Sequence, residues 1–423
     1  MTTTKNNEDK KLNVPNLRFP EFQGEWEELG LSELLDFKNG LNPKLDKFGK
    51  GIKFISVMDI LNNAVITYDC IKASVDVTEK ELSDFSVEKG DILFQRSSET
   101  LEDVGRANIY MDDKTAVFGG FVIRGKKKGE YDPQYFNYLL RSPFARKRII
   151  PMGAGAQHFN IGQEGLSKVK LHFANIEEQK KIGKMLSLLD ERISTQNKII
   201  EDLKKLKSAI VEKVFCSPNQ EYPMCRIEGF EQALSTYKMS DFSSRIATKN
   251  KDSKCSLVLT IAAQYGLVNQ ESFFNKSVAS ENLTGYYLLH KGEFAYNRSY
   301  SAGYDWGTVK RLDNYDEGVL STLYICFKIN ETIVDSDYLA YYFESTKWHR
   351  GLSDIAGEGA RNHGLLNVSM ADYFNTKHRF PVIEEQKAIA KILNAITEKE
   401  RKATLLVECY QKQKQYLLCQ MFT

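Results

Sequence analysis

The segment Ile176-Glu177-Glu178-Gln179-Lys180 recurs as Ile383-Glu384-Glu385-Gln386-Lys387, 207 residues on (383 − 176). The offset holds without a gap to Phe215 and Phe422. A period of this size exceeds the roughly 20–50 residues of a solenoid unit; it fits a domain-plus-helix that occurs twice. In the first copy Leu186, Leu189, Ile193, Gln196, Ile200, Leu203, Lys207, Ile210 and Val214 follow steps of three and four. In the second, Leu393, Ile396, Glu400, Ala403, Val407, Tyr410, Lys414, Leu417 and Met421 repeat the stripe, with a lysine at the same seam position. Such a stripe suits two long helices packed on each other as a coiled coil. The alternative is two amphipathic helices, each packed on its own domain. Ser217-Pro218 ends the first segment and Phe380-Pro381 precedes the second, because proline cannot continue a helix.

With 423 residues, 42% of them hydrophobic, the chain can bury sizeable cores, and at about 100–200 residues per domain two to four are expected. No apolar run reaches the ~18 residues of a membrane span, and the polar stretch Met1 to Lys11 lacks the apolar core of a secretory signal. The seven cysteines are scattered and none forms C-x-x-C, so neither a zinc site nor a disulfide framework is expected. These features predict a reduced, cytoplasmic protein with no membrane partner. A net charge of +2 argues against nucleic-acid binding by bulk charge and leaves room for local basic faces.

The duplication continues upstream. Leu17-Arg18-Phe19-Pro20-Glu21-Phe22 aligns with Cys225-Arg226-Ile227-Glu228-Gly229-Phe230, and Lys89-Gly90-Asp91-Ile92-Leu93-Phe94-Gln95-Arg96-Ser97 with Lys291-Gly292-Glu293-Phe294-Ala295-Tyr296-Asn297-Arg298-Ser299. The second pair reads as a turn, a short apolar strand and a polar exit. Further strands are predicted at 52–57, 117–124, 257–261 and 320–329, and helices at 133–150 and 337–352. A glycine-rich stretch follows each helix, at 153–160 and 357–364. Neither matches a phosphate-binding or dinucleotide-binding fingerprint. No H-E-x-x-H, G-x-S-x-G or amino-methyltransferase [DNS]-P-P-[YFW] motif occurs, and the six histidines show no metal spacing. A chain of this size without such motifs leans towards binding rather than catalysis.

The opening Leu17 to Phe22 with Gly24 and Trp26, the two Gly-Asp/Glu strand motifs, the glycine-rich Gly153 to Asn160 and the two Ile-Glu-Glu-Gln-Lys helices together resemble the specificity subunit of a type I restriction–modification enzyme. The likeness runs from about residue 16 to the C-terminus. It implies an α+β fold: two mixed α/β target-recognition domains separated by two long helices paired as an antiparallel coiled coil. The corresponding division is a polar tail at 1–15, domains at 16–175 and 217–382, and spacer helices at 176–216 and 383–423. It further implies that each domain reads one half of a bipartite, asymmetric site in double-stranded DNA while the helices set the gap. The implied partners are two methyltransferase subunits, which use S-adenosylmethionine to methylate adenine, and restriction–translocase subunits, which use ATP and Mg²⁺. This chain would bind no cofactor or metal and catalyse neither reaction. A coiled-coil scaffold carrying two protein-binding domains is the rival reading.

Base readers belong on loops held by a rigid scaffold, and Arg, Asn and Gln are the side chains best matched to base edges. Gln95, Arg96, Ser97 and Ser98 in the first half, and Asn297, Arg298 and Ser299 in the second, have that chemistry at strand exits. Residues common to both copies cannot make the halves read different sequences. Arg96 and Arg298 therefore suit phosphate contact or loop geometry, and Arg298→Ala is expected to weaken binding on every sequence and to lower its salt dependence. Discrimination is expected where the copies diverge: Tyr300 and Tyr304 against Ser98-Glu99-Thr100, and Arg361, Asn362 and His363 against Gln157, His158 and Asn160. The basic clusters Lys126-Lys127-Lys128 and Arg141 with Arg146-Lys147-Arg148 are either phosphate contacts or solvated faces.

Overall fold

The computed structural model describes residues 13–251, 254–275, 282–299, 303–355, 361–362, 365–366 and 368–423. The chain divides into two compact units. One comprises residues 1–197 with 405–423, the other residues 198–404. Each unit thus takes the beginning of one long helix and the end of the other.

The first long helix spans Ile176–Val214 and the second Ile383–Gln420, each close to 60 Å at about 1.5 Å per residue. They pack together, antiparallel. In the N-terminal unit, Ile182 and Leu186 share a core with Met421 and Phe422, and Lys414 Nζ reaches Asp190 Oδ1 at 2.6 Å. In the C-terminal unit, Val211 and Phe215 share a core with Ile389 and Leu393. Leu186, Leu189, Leu393, Ile396 and Val407 are buried, and Ile193, Ile200, Leu203, Ile210, Tyr410 and Leu417 are partly so. Removing a side chain such as Leu186 or Leu393 from water stabilises its unit by about 1.5–3 kcal/mol.

The two units repeat one design. In the N-terminal unit an antiparallel four-stranded sheet runs in the order Leu35–Asn39, Val122–Lys127, Ile92–Gln95, Ala107–Ile109. The C-terminal unit has Ser243–Arg245, Ile325–Ile329, Phe294–Asn297, Thr308–Arg311 in the same order. A two-stranded ladder, Glu27–Gly30 with Lys170–Phe173, recurs as Ser235–Lys238 with Lys377–Phe380. The carboxylate in each Lys-Gly-Asp/Glu motif caps its turn: Asp91 accepts from Glu88 N at 3.0 Å and Glu293 from His290 N at 2.7 Å.

Several sequence expectations are corrected. The strand predicted at 52–57 begins earlier, at Phe48–Ile55, and Val57 opens a short helix, Val57–Asn62. The strands predicted at 117–124 and 320–329 are each two strands, Ala116–Phe118 with Val122–Lys127 and Glu317–Leu320 with Ile325–Ile329, split by a turn. The strand predicted at 257–261 is Leu259–Ala262. The helix predicted at 133–150 is two, Pro133–Arg141 and Pro143–Ile149. Pro143 supplies no N–H to carry the first onward, and the Ser142 hydroxyl caps the second by accepting from Ala145 N at 3.2 Å. Its counterpart at 337–352 is likewise Ser336–Tyr342 and His349–Ser353.

The duplicated helix-opening motif locks each long helix to its own domain. Glu178, fully buried, takes a bidentate ion pair from Arg18, with Nε at 2.8 Å and Nη2 at 2.7 Å. Glu385 does the same with Arg226, at 2.9 and 2.7 Å. The following glutamine spans two segments. Gln179 accepts from Asp132 N at 2.9 Å and donates to Ala174 O at 2.8 Å. Gln386 accepts from Asp335 N at 2.9 Å and donates to Pro381 O at 2.9 Å. Asp132 and Asp335 then cap the next helices through Tyr135 N and Tyr338 N. Gly183 lets the first rod approach closely, since a Cβ there would stand 2.6 Å from Asp132 Oδ1 and 2.9 Å from Tyr135 N.

His378 lies in the C-terminal core, with Nδ1 3.1 Å from Tyr342 Oη and Nε2 2.8 Å from Thr376 Oγ1. Burial pushes its pKa from 6.5 down to about 3. Below pH 6.5 the unfolded chain therefore takes up a proton that the folded chain refuses, so stability falls as pH drops from 6.5 towards 3. The expected slope from this group is about 1.4 kcal/mol per pH unit well below 6.5. Urea unfolding near pH 7 and pH 5.5 checks it: the wild type loses roughly 1 kcal/mol more than His378→Asn over that interval. Equal losses would remove the histidine from the account.

Candidate nucleic-acid interface

In the N-terminal unit the two predicted loop segments meet. Ser97–Ser98 pairs antiparallel with Phe159–Asn160, placing Asn160 opposite Ser97 and Phe159 opposite Ser98. The Ser97 hydroxyl donates to Asn160 Oδ1, and Ala154 and Asn160 exchange backbone hydrogen bonds at 2.9 and 2.8 Å. The resulting tip exposes Gln157, His158 and Asn160, with Glu99 and Thr100 beside it. Gly155 makes the tip possible: its φ is +145°, and a Cβ there would fall 2.0 Å from His158 O. Gln95 points inward. It is 5% exposed and donates through Nε2 to Ser97 O at 2.9 Å, so it shapes the loop rather than facing solvent. Ser98 is also buried.

The shared arginines brace backbone. Arg96 Nη1 donates to Gly120 O at 3.4 Å, and Ile161 N donates to Arg96 O at 2.9 Å. Arg298 donates from Nη1 to Val368 O and from Nη2 to Leu323 O, each at 3.2 Å, while Leu366 N donates to Arg298 O at 3.0 Å. Of the two roles the sequence allowed, this geometry favours holding the loop. Arg298→Ala is then expected to weaken DNA binding on all sequences alike with the salt slope unchanged, as measured by titration at several salt concentrations. A slope smaller by about 1 would instead assign the guanidinium to a phosphate.

In the C-terminal unit the Asn297 side chain turns back to accept from Ser299 N at 3.0 Å, Ser299 is exposed and Tyr304 half-buried. Arg361 and Asn362 form a short strand with Leu365–Leu366, in register with the brace from Arg298. Tyr300 and His363 lie outside the described residues, as does most of the second glycine-rich stretch. The basic clusters divide. Lys126 and Lys128 pair with Glu88 at 3.4 Å and Asp36 at 3.6 Å, Lys127 donates to Tyr131 O at 3.3 Å, and Arg148 pairs with Glu28 at 3.2 Å. Arg141 and Arg146 instead line a cavity. Among the described residues no group of three or more His, Cys, Asp or Glu could hold a metal ion, and no helix is long and apolar enough to cross a membrane. Sequence reading missed the positioning residues Arg18, Arg226, Gln179 and Gln386; their identity across both copies was the available signal.

Residues 23–205 match the family described as the type I restriction modification DNA specificity domain. A putative type I restriction enzyme MjaX specificity subunit from Methanocaldococcus jannaschii is 24% identical over 96% of this chain and 93% of its own length. Along nearly its whole length the chain is thus similar to type I restriction–modification specificity subunits. The MjaVIII specificity subunit of the same organism is 23% identical over 45% of each chain. The fold agrees along the whole length. The S subunit of a type I restriction–modification system from M. genitalium superposes with a TM-score of 0.57 at 16% identity, covering 97% of this chain and 99% of that one. A structure described as showing complex assembly and conformational transition of the type I R-M system gives 0.52 at 12% identity, covering 93% and 96%. These likenesses agree with a duplicated α+β fold and a long antiparallel helix pair.

Proposed function

We propose that this chain is a type I specificity subunit that reads the two halves of a bipartite, asymmetric DNA target, one with each unit, and directs adenine methylation and restriction by partner subunits. The observation carrying the proposal is that one four-stranded sheet order and one arginine-braced strand exit occur twice, while the loop residues differ between copies. The candidate readers are Gln157, His158 and Asn160 in one copy against Arg361, Asn362 and His363 in the other. A shared frame with unshared tips suits two half-sites of different sequence, since base-edge contacts specify and backbone contacts position. The helix pair serves as the spacer, and the domain division at 16–175 and 217–382 follows.

Two methyltransferase subunits and the restriction–translocase subunits are the partners on this reading. S-adenosylmethionine, ATP and Mg²⁺ bind to them and not to this chain, and the assembly works in the cytoplasm. Exposed apolar side chains along both rods, including Leu188, Ile199, Leu206, Ile392, Leu405 and Tyr416, suit burial against such partners. The test is selection from a randomised duplex pool by the subunit assembled with its methyltransferase. Two conserved blocks at a fixed gap are expected; one contiguous block, or no enrichment, would defeat the bipartite reading.

A further inference from the structure

Arg106 and the more distant pair Arg141 and Arg146 converge on one cavity of about 400 Å³ in the N-terminal unit. The rest of its wall is largely apolar, with Ile60, Leu140 and Ile150, and electrostatic attraction is stronger in such surroundings than in water. Arg106 is satisfied by Asp103 at 2.6 Å. The other two make no ion pair among the described residues. Arg146 spends Nη2 on the carbonyls of Glu102 and Val104, at 2.8 and 2.6 Å, while its buried Nη1 has no partner. Arg141 has one long bond, 3.4 Å, to Asn63 O. Glu102 is the one acidic residue on the wall, and Asp190 and Asp103 attract Arg141 and Arg146 without closing an ion pair with either. Half-buried guanidiniums with no anion in contact are costly to desolvate, and burial lowers the pKa of both, that of Arg146 to about 10.

The other copy supplies the contrast. A cavity of about 700 Å³ lies at the matching place in the C-terminal unit. There the positions of Arg106, Arg141 and Arg146 are taken by Thr308, Glu344 and His349. Two of its three lysines are matched by carboxylates, Lys207 to Glu344 at 3.1 Å and Lys204 to Glu400 at 3.8 Å, while Lys310 makes no ion pair among the described residues. What sets the N-terminal cavity apart is its three guanidiniums, which the shared fold does not supply in the other copy.

We propose that the Arg106–Arg141–Arg146 cavity is a binding site for a phosphate group. Guanidinium forks match tetrahedral oxyanions through paired N–H donors. The wall from Glu102 to Arg106 follows directly on Ser98-Glu99-Thr100, and it is tied to the strand exit by Gln95 N to Arg106 O at 2.7 Å and Gly105 N to Gln95 O at 3.0 Å. This link makes a DNA backbone phosphate the natural source, a step that rests on the DNA-reading proposal. Free inorganic phosphate has the same chemistry.

The test has two arms on the full chain. In the first, inorganic phosphate is added against chloride at matched ionic strength and the thermal midpoint is followed. A rise of about 3–6 °C near saturation is expected. It is lost in Arg141→Gln, reduced in Arg146→Lys, which keeps a donor for the loop carbonyls, and retained in Lys147→Gln, an exposed neighbour on the same helix. No phosphate-specific rise in the wild type, or an equal rise in folded Arg141→Gln and Arg146→Lys, overturns the site. In the second arm the subunit assembled with methyltransferase binds its DNA, and Arg141→Gln is expected to lower the log–log salt slope by about 1. An unchanged slope with the first arm positive assigns the site to a free phosphate. Loss of methyltransferase capture with no phosphate effect would mean that a partner's carboxylate occupies the cavity, and overturns the proposal. If the wild-type assembly binds no DNA at all, the DNA reading fails while the first arm still decides the site.

Discussion

Arg226→Ala lowers the stability of the C-terminal unit by about 3–5 kcal/mol, because it strands a buried carboxylate. Glu385 is 1% exposed and takes all three of its ion-pair hydrogen bonds from Arg226. Removing the guanidinium leaves the charge with neither water nor partner at the first turn of the second long helix. For a unit of this size the midpoint is expected to drop by roughly 10 °C. Replacing both partners with apolar residues, Arg226→Met with Glu385→Leu, should recover much of the loss, since the penalty lies in the unpaired charge more than in the absent bond. A denaturation series on the three variants measures the coupling directly. A single variant within 1 kcal/mol of wild type would show that the motif is not the clamp described here. The same argument applies to Arg18 and Glu178 in the N-terminal unit, where Glu178 is fully buried.

The second large effect is on spacing. Seven residues inserted into both rods in register, one heptad each, add about 10 Å of helix at 1.5 Å per residue. The unread gap in the target is then expected to grow by about 3 base pairs, given ~3.4 Å per base pair. The half-site sequences stay the same, because the loops are untouched. The heptad keeps the seam in phase, so Leu186, Leu189, Leu393 and Ile396 retain their facing positions, whereas four inserted residues would rotate the stripe. The methylated motif of cells expressing the lengthened subunit reads the outcome. An unchanged gap would end the role of the helices as a spacer.

The parts legible in the sequence were those carried by short-range pattern or by repetition. The rods announce themselves through a seven-residue stripe, and the strand motifs at Asp91 and Glu293 through a repeated turn. What could not be read depends on contacts between distant residues. Arg18 and Glu178 are 160 positions apart, and nothing in either local pattern reveals that one neutralises the other. The break at Ser142-Pro143 was visible as a proline but lost inside a longer apolar period. The turns that split 116–127 and 317–329 fall within runs whose β propensity is continuous. At the interface, residue type alone suggested Gln95 as a reader, whereas the fold turns it inward onto Ser97 O. The arginine cavity was half visible: Arg141 and Arg146 stood out as basic, but Arg106 joins them only through the tertiary fold.

The central claim is that this subunit alone chooses the sequence that its partners modify. Modification-sensitive sequencing of DNA from cells co-expressing the neighbouring methyltransferase, with and without this chain, tests it most directly. The account predicts a single bipartite adenine motif that is present only when the chain is expressed. Methylation at the same motif without the chain, or none when all subunits are soluble and assembled, would contradict it.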